Sequence, residues 1–245
     1  MRINDARFTE AIVRALSENT ESLGIGTLGE KLLHRILKYY IDPDENNHEI
    51  EYLGSVADVI NGEGIFEIQT RSLERLVPKL EKFLEKSPVT VVYPLFSEKN
   101  VIWFDKQTGE LTPPRRSPKR ATPADALIEI YKLLEFLERP GFSIELIFLK
   151  GDEYKLLDGW DKSKKRGATK LDRIPSSIDT TVTVRTREDC VCLLSDSLPH
   201  PFTAKQFYKL IGHRGRTAYY ALRALVNIGI IHEFGKLKNA KLFDY

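Results

Sequence analysis

Two runs, VTVVYPL (89–95) and FSIELIFLK (142–150), carry apolar side chains almost without interruption. Such runs suit strands buried on both faces, in the middle of a sheet. Their surroundings predict the rest of an α/β layer structure. Helices are expected from Asp5 to Leu16 and from about Leu28 to Ile41, where Leu32, Leu33, Ile36, Leu37 and Tyr40 recur at helical spacing. Three short strand candidates follow, HEIEYLG, SVADVIN and GIFEIQT, and then an amphipathic segment, SLERLVPKLEKFLEK, opened or kinked by Pro78. Beyond the first buried strand, NVIWFDKQTGEL predicts a hairpin and TPPRRSPKRATP a basic, proline-rich loop. ADALIEIYKLLEFLE reads as a helix.

A chain of 245 residues accommodates one large domain, or a domain with a smaller companion. With 42% hydrophobic and 29% charged residues it has the composition of a soluble globular protein. No run approaches the ~18 apolar residues of a membrane-spanning helix, and the N-terminus lacks the apolar core of a secretory signal. A cytoplasmic protein is the expectation. Cys190 and Cys192 have no second cluster with which to complete a zinc site or a disulfide framework, so they are expected to be packed side chains of a helix.

Charge is unevenly spread. Residues 1–150 sum to −4 and residues 151–245 to +6. A basic C-terminal part suits a polyanion, because each Lys or Arg set against a phosphate releases condensed counterions; a solvated surface explains the same charge. The weak pattern from Asp152 to about Ser177, with WDKSKKRGATKLDR inside it, marks a connector. The expected organisation is therefore an α/β domain over 1–150, a basic connector over 151–177 and a smaller domain over 178–245.

The dipeptide Asn61–Gly62 sets a hairpin turn. If Ile60 and Ile65 are partners, Asp58 lies opposite Glu67 and Val56 opposite Gln69, with Glu67 and Gln69 on one face. Ala57, Val59, Phe66 and Ile68 then share the other face. Like charges placed opposite each other destabilise a sheet. A hard divalent cation would compensate them, since Mg²⁺ often needs only one or two carboxylates beside its waters. An ordinary exposed strand pair is the alternative.

Helix, three-stranded meander, helix and strand, with Asp58 on the second strand and Glu67 on the third, resembles the PD-(D/E)XK (restriction-endonuclease-like) nuclease superfamily over about Thr27 to Leu95. The order EIQTRS, helix, VTVVYP also resembles an uncharacterised bacterial family ending in a winged helix. The nuclease resemblance implies a mixed sheet flanked by helices and metal-assisted phosphodiester hydrolysis. It implies Asp58 and Glu67 as ligands of Mg²⁺ or Mn²⁺, Glu30 as a further ligand through water or a second metal, and Gln69 positioning the attacking water. Two departures stand out. Ala57 replaces a frequent proline, and Gln69 replaces a lysine; an amide orients water but neither charges the site nor accepts a proton. Arg71 is a candidate for the missing charge. Thr27-x-x-Glu30 also reads as a capping box, and His34, four residues after Glu30, as a surface or packing histidine.

In the last third, REDCVCLLSDSL, TAKQFYKLIG and RTAYYALRALVNIGI predict three short helices, the second N-capped by Thr203. IHEFGKLKNAKLFDY closes as a hairpin. This order resembles a winged helix. The resemblance implies His213, Arg214, Arg216 and Thr217 at the start of a recognition helix and Lys236, Lys238 and Lys241 on the wing, all facing double-stranded DNA. Arg115, Arg116, Lys119 and Arg120, with Lys162, Lys164, Lys165 and Arg166, would extend that surface. Protein docking through Tyr219 and Tyr220 is the alternative for this module, and a homodimer is compatible with either. The whole reads as a metal-dependent DNA endonuclease targeted by a winged helix, or as a non-catalytic DNA-binding regulator whose nuclease core has decayed.

Overall fold

The computed structural model describes residues 2–18, 29–70, 72–105, 107–157, 169–194 and 198–245. The chain forms an α/β structure in which one mixed sheet lies between layers of helices. Helix α1 (Asp5–Ser17) begins at Asn4, whose side chain accepts the Arg7 N–H at 3.0 Å, and buries Phe8, Ala11 and Ala15 along one face. Helix α2 (Gly29–Ile41) lays Leu32, Leu33, Ile36, Leu37 and Tyr40 against the same core. Both helices match the apolar spacing of the sequence.

Strands β1 (His48–Tyr52), β2 (Ser55–Asn61) and β3 (Gly64–Ile68) form an antiparallel meander. Helix α3 (Val77–Phe83) follows, with proline in its first turn, where the lost N–H is not needed. Strand β4 (Val89–Phe104) then runs parallel to β3, and β6 (Phe142–Leu156) parallel to β4. Between them come the two-residue β5 (Arg115–Arg116), on the edge of β4, and α4 (Pro123–Ile130), closed by a reciprocal Thr122–Asp125 capping box. Strand β7 (Thr169–Val184) pairs antiparallel with β6 and completes the order β1-β2-β3-β4-β6-β7.

Three expectations are corrected here. Residues 151–156 and 169–177, expected in a connector, are sheet residues of β6 and β7. NVIWF, the outer half of β4, turns back as the expected hairpin, with Phe104 bridging Leu111 and the Asp105 N–H donating to the Glu110 carbonyl, but Arg115–Arg116 pair with β4 rather than lying in an open loop. The expected helix around the cysteines is a 3-10 turn, Glu188–Leu193, with Cys190 buried and Cys192 exposed. The polar outer halves hold together through Glu153, 2% exposed and ringed by Lys99 at 2.9 Å, Arg173 at 3.4 Å and Lys155 at 3.6 Å. Burial disfavours its charge, but the Lys99 hydrogen bond and the surrounding cations outweigh it and hold the carboxyl down to about 2. A β-bulge beside it needs glycine, since a Cβ on Gly151 would meet the Ile174 carbonyl oxygen at 2.3 Å.

The C-terminal elements are β8 (Phe202–Thr203), α5 (Ala204–Leu210), α6 (Arg216–Asn227), β9 (His232–Leu237) and β10 (Ala240–Asp244), the strands ordered β8-β10-β9. Thr203 caps α5 through a reciprocal box with Gln206. Phe202, Phe207, Phe243, Leu222 and Leu225 belong to one continuous apolar cluster with Leu80, Leu127, Ile144 and Leu146. The C-terminal elements therefore share their core with α3, α4 and one face of the sheet, while α1 and α2 cover the other. Among the described residues no helix is long and apolar enough to cross a membrane.

Candidate functional site

The hairpin of β2 and β3 takes the register set by its turn: Asn61 pairs with Gly64, Ile60 with Ile65 and Val59 with Phe66. Glycine is required at 64, where φ is +125° and a Cβ would meet the Pro88 carbonyl oxygen at 2.7 Å. One step further, at Asp58 and Glu67, the ladder opens. The Asp58 carboxylate, through Oδ2, accepts the backbone N–H of Ile68 at 2.7 Å, and the Glu67 carboxylate lies against the Asp58 backbone N–H. The pairing of β2 with β1 is broken at the same level. His48 pairs with Val59 and Ile50 with Ala57, but Glu49, at φ +52°, makes no pair with Asp58. This double interruption also disturbs side-chain alternation. Val59, Phe66 and Ile68 face α1 and α2 as expected, whereas Ala57 joins the opposite core.

Two cationic or polar groups close on the acids from the flanking helices. Lys79 of α3 places Nζ 2.6 Å from Glu67 Oε2, and His34 of α2 places Nε2 3.1 Å from Asp58 Oδ2. Nearby, Lys38 holds Glu49 at 2.7 Å. Glu67 is 1% exposed, and its Oε1 is buried with no hydrogen bond of normal geometry among the described residues. Burial, followed by the neighbouring Asp58 charge, pushes the Glu67 carboxyl up to about 7 against the pull of Lys79. Burial opposes ionisation of Asp58 too, but His34, the Ile68 N–H and Lys79 overcome it and hold Asp58 below the usual carboxylate range. Two adjacent carboxyls thus differ in proton affinity because of their surroundings, the arrangement that separates acid and base roles at reactive sites.

The shift of Glu67 has a consequence for stability. A carboxyl whose folded pKa is raised contributes most while protonated, below the unfolded value near 4.5, and that contribution is lost as pH rises through about 7. Glu67→Gln, which keeps the shape without the charge, should therefore match wild type at pH 5. At pH 8 it should exceed wild type by about 1–3 kcal/mol. Paired thermal denaturation curves at the two pH values check this. Equal stability of the two proteins at pH 8 would contradict it.

Of the other residues singled out in the sequence, Gln69 is half-buried at the end of β3, its N–H bonded to the Val92 carbonyl at 3.0 Å. Glu30 lies in the first turn of α2, with its side chain outside the described residues, as are Thr27, Arg71 and the cluster Lys162, Lys164, Lys165 and Arg166. No group of three His, Cys, Asp or Glu side chains among the described residues forms a ready metal cage. His34, expected as a surface or packing histidine, is partly exposed and contacts Asp58, and Lys79 was not among the residues the sequence pointed to. Its one signal was a lysine between inward-facing Leu76, Leu80 and Phe83 on the helix following β3.

In the C-terminal elements, His213, Arg214, Arg216 and Thr217 are all exposed where α6 begins, while Ala218, Ala221, Leu222 and Leu225 are buried. Lys236, Lys238 and Lys241 are exposed around the β9–β10 hairpin, and Lys241 is held by Glu233 at 2.8 Å.

Fold and site together define an α/β protein with a mixed sheet and an acid pair, buried Glu67 beside half-buried Asp58, where the β2–β3 ladder opens. The chain belongs to the family described as Domain of unknown function (DUF8091), whose model matches residues 31–185, from α2 to the end of β7. It is similar to an "Uncharacterized protein" of Treponema pallidum (strain Nichols), 30% identical over 220 residues that cover 89% of this chain and 86% of that one. No solved structure matches it.

Proposed function

We propose that this protein is a divalent-metal-dependent phosphodiesterase acting on double-stranded DNA, with Asp58 and Glu67 at its centre. The observation that carries the proposal is the acid pair at the break in the sheet, with the Lys79 ammonium beside it. The donor set fits Mg²⁺ or Mn²⁺: two adjacent carboxylates offer hard oxygens, and buried Oε1 of Glu67 has no hydrogen bond of normal geometry among the described residues. Asp58 and Glu67 would hold the ion, with Glu30 a further candidate. Bound there, the ion supplies a water of lowered pKa and offsets charge on the phosphate.

The chain's own groups do the rest. Asp58, held ionised, keeps a full negative charge in the site. Lys79 supplies the positive charge that Gln69 cannot, and the Gln69 amide orients the attacking water. On this reading the C-terminal elements act as a winged helix, with the α6 N-terminus in the major groove and the β9–β10 hairpin on the backbone. Arg214→Ala/Arg216→Ala should weaken duplex binding and lower the slope of log affinity against log salt by about 2, one unit per lost phosphate contact. Fluorescence anisotropy with a labelled duplex at several salt concentrations measures both.

Incubation of supercoiled plasmid with Mg²⁺ or Mn²⁺ tests the central reading. Wild type should nick it, and Asp58→Ala/Glu67→Ala should be slower by at least about a hundredfold. Salt-sensitive duplex binding without cleavage would instead favour a DNA-binding regulator built on the same fold.

A further inference from the structure

A cleft of about 790 Å³ opens at the N-terminal ends of β4 and β6, on the face covered by α1 and α2 and away from Lys79 and its partners. That volume falls within the range of small-molecule sites, about 300–1,000 Å³. Its floor is built in two rows across the sheet. In the first, Thr90 and Ser143 face each other, hydroxyl to hydroxyl, at 2.8 Å. In the second, Val92, Glu145 and Thr183 are neighbours on successive strands, and the Thr183 hydroxyl donates to Glu145 Oε2 at 2.6 Å. Glu145 is only 3% exposed, a carboxylate set into the floor of a cavity whose apolar walls include Phe66 and Phe142.

The rim has the opposite character. Arg2, Arg139 and Arg185 are exposed at the mouth, and Arg7 reaches in from α1 with its Nε buried and without a hydrogen bond among the described residues. Arg7 is fixed in place by donating to the Ile41 carbonyl. Glu63 and Glu138 also line the cleft, and Glu138 is bound to Arg187.

Each part selects a chemistry. A deep carboxylate accepts N–H groups, as acidic side chains accept from the amino edge of a base. Apolar and aromatic walls suit a flat ring. Guanidinium groups match phosphate oxygens in a bidentate fork. An inorganic anion would engage the arginine rim alone, and a purely apolar ligand would set nothing against those guanidinium groups. The acids at the mouth weigh against a long polyphosphate. We infer that this cleft is a binding site for a nucleoside 5′-monophosphate, base edge on Glu145 and phosphate among the arginines. This site is separate from Asp58 and Glu67 and does not depend on their role.

Thermal denaturation of the full chain with AMP, GMP, CMP and UMP in turn, beside inorganic phosphate and the free nucleosides, tests the inference. At about a hundredfold excess over its Kd, at least one monophosphate should raise the Tm by about 5–10 °C. Phosphate alone and the matching nucleoside should each give less than half of that shift. Arg139→Ala/Arg185→Ala, changed at exposed positions, should abolish the shift. Glu145→Gln should weaken the same nucleotide about tenfold while leaving any effect of phosphate unaltered. The inference is overturned if no monophosphate moves the Tm, if phosphate alone reproduces the full shift, or if the arginine double variant responds like wild type.

Discussion

Lys79→Ala is expected to slow metal-dependent cleavage about a hundredfold and to move the acidic limb of its pH profile upward. Lys79 Nζ sits 2.6 Å from a carboxylate that is 1% exposed and already repelled by Asp58. Without that ammonium, only the Asp58 backbone N–H is left to oppose burial and the Asp58 charge, and the Glu67 pKa climbs from about 7. At neutral pH the pair then carries less negative charge and is a poorer socket for a cation. Lys79→Arg keeps the charge but not the compact ammonium, so it should recover part of the rate. A merely structural role would lower stability without moving the pH profile. The profile therefore separates the two, and a variant cleaving at the wild-type rate with an unmoved limb would refute the assignment.

The second large effect concerns architecture. Phe207→Ala should cost about 3–5 kcal/mol and should lower the unfolding transition of the whole chain. Phe207 is fully buried, stacked on Phe202 at 6.4 Å between centroids, and Phe202 stacks in turn on Phe243 at 6.0 Å. These rings are continuous with Leu127, Leu133 and Leu134 beneath the large sheet. A cavity opened among them removes contacts from both parts together. Calorimetry should show one transition displaced as a unit. Two transitions, with only one displaced, would mean that the C-terminal elements melt as an independent body.

What the sequence disclosed followed from short-range physics. The apolar stripes of α1 and α2, the buried strands and the register of the Asn61–Gly62 hairpin all depend on spacing along the chain. Strand β7 was hidden because it is polar along much of its length, interrupted by Pro175 and by bulges, and reveals itself mainly at Leu171, Ile178 and Val184. The charged stretch holding Glu153, Lys155 and Arg173 read as a connector, yet these residues gather with Lys99 of β4. In the fold they satisfy one another across strands. Asp58 and Glu67 were legible as a pair because one turn sets both. Lys79 and His34 were not, since each reaches the site from a helix packed on it, and no spacing in the chain encodes that approach.

Direct titration of the protein with Mn²⁺ at pH 8, followed by electron paramagnetic resonance, tests the central claim without relying on a DNA substrate. One Mn²⁺ site per chain is expected, lost in Asp58→Asn/Glu67→Gln and displaced by Mg²⁺. Retention of that site in the double variant, or no Mn²⁺ bound by wild type, would contradict it.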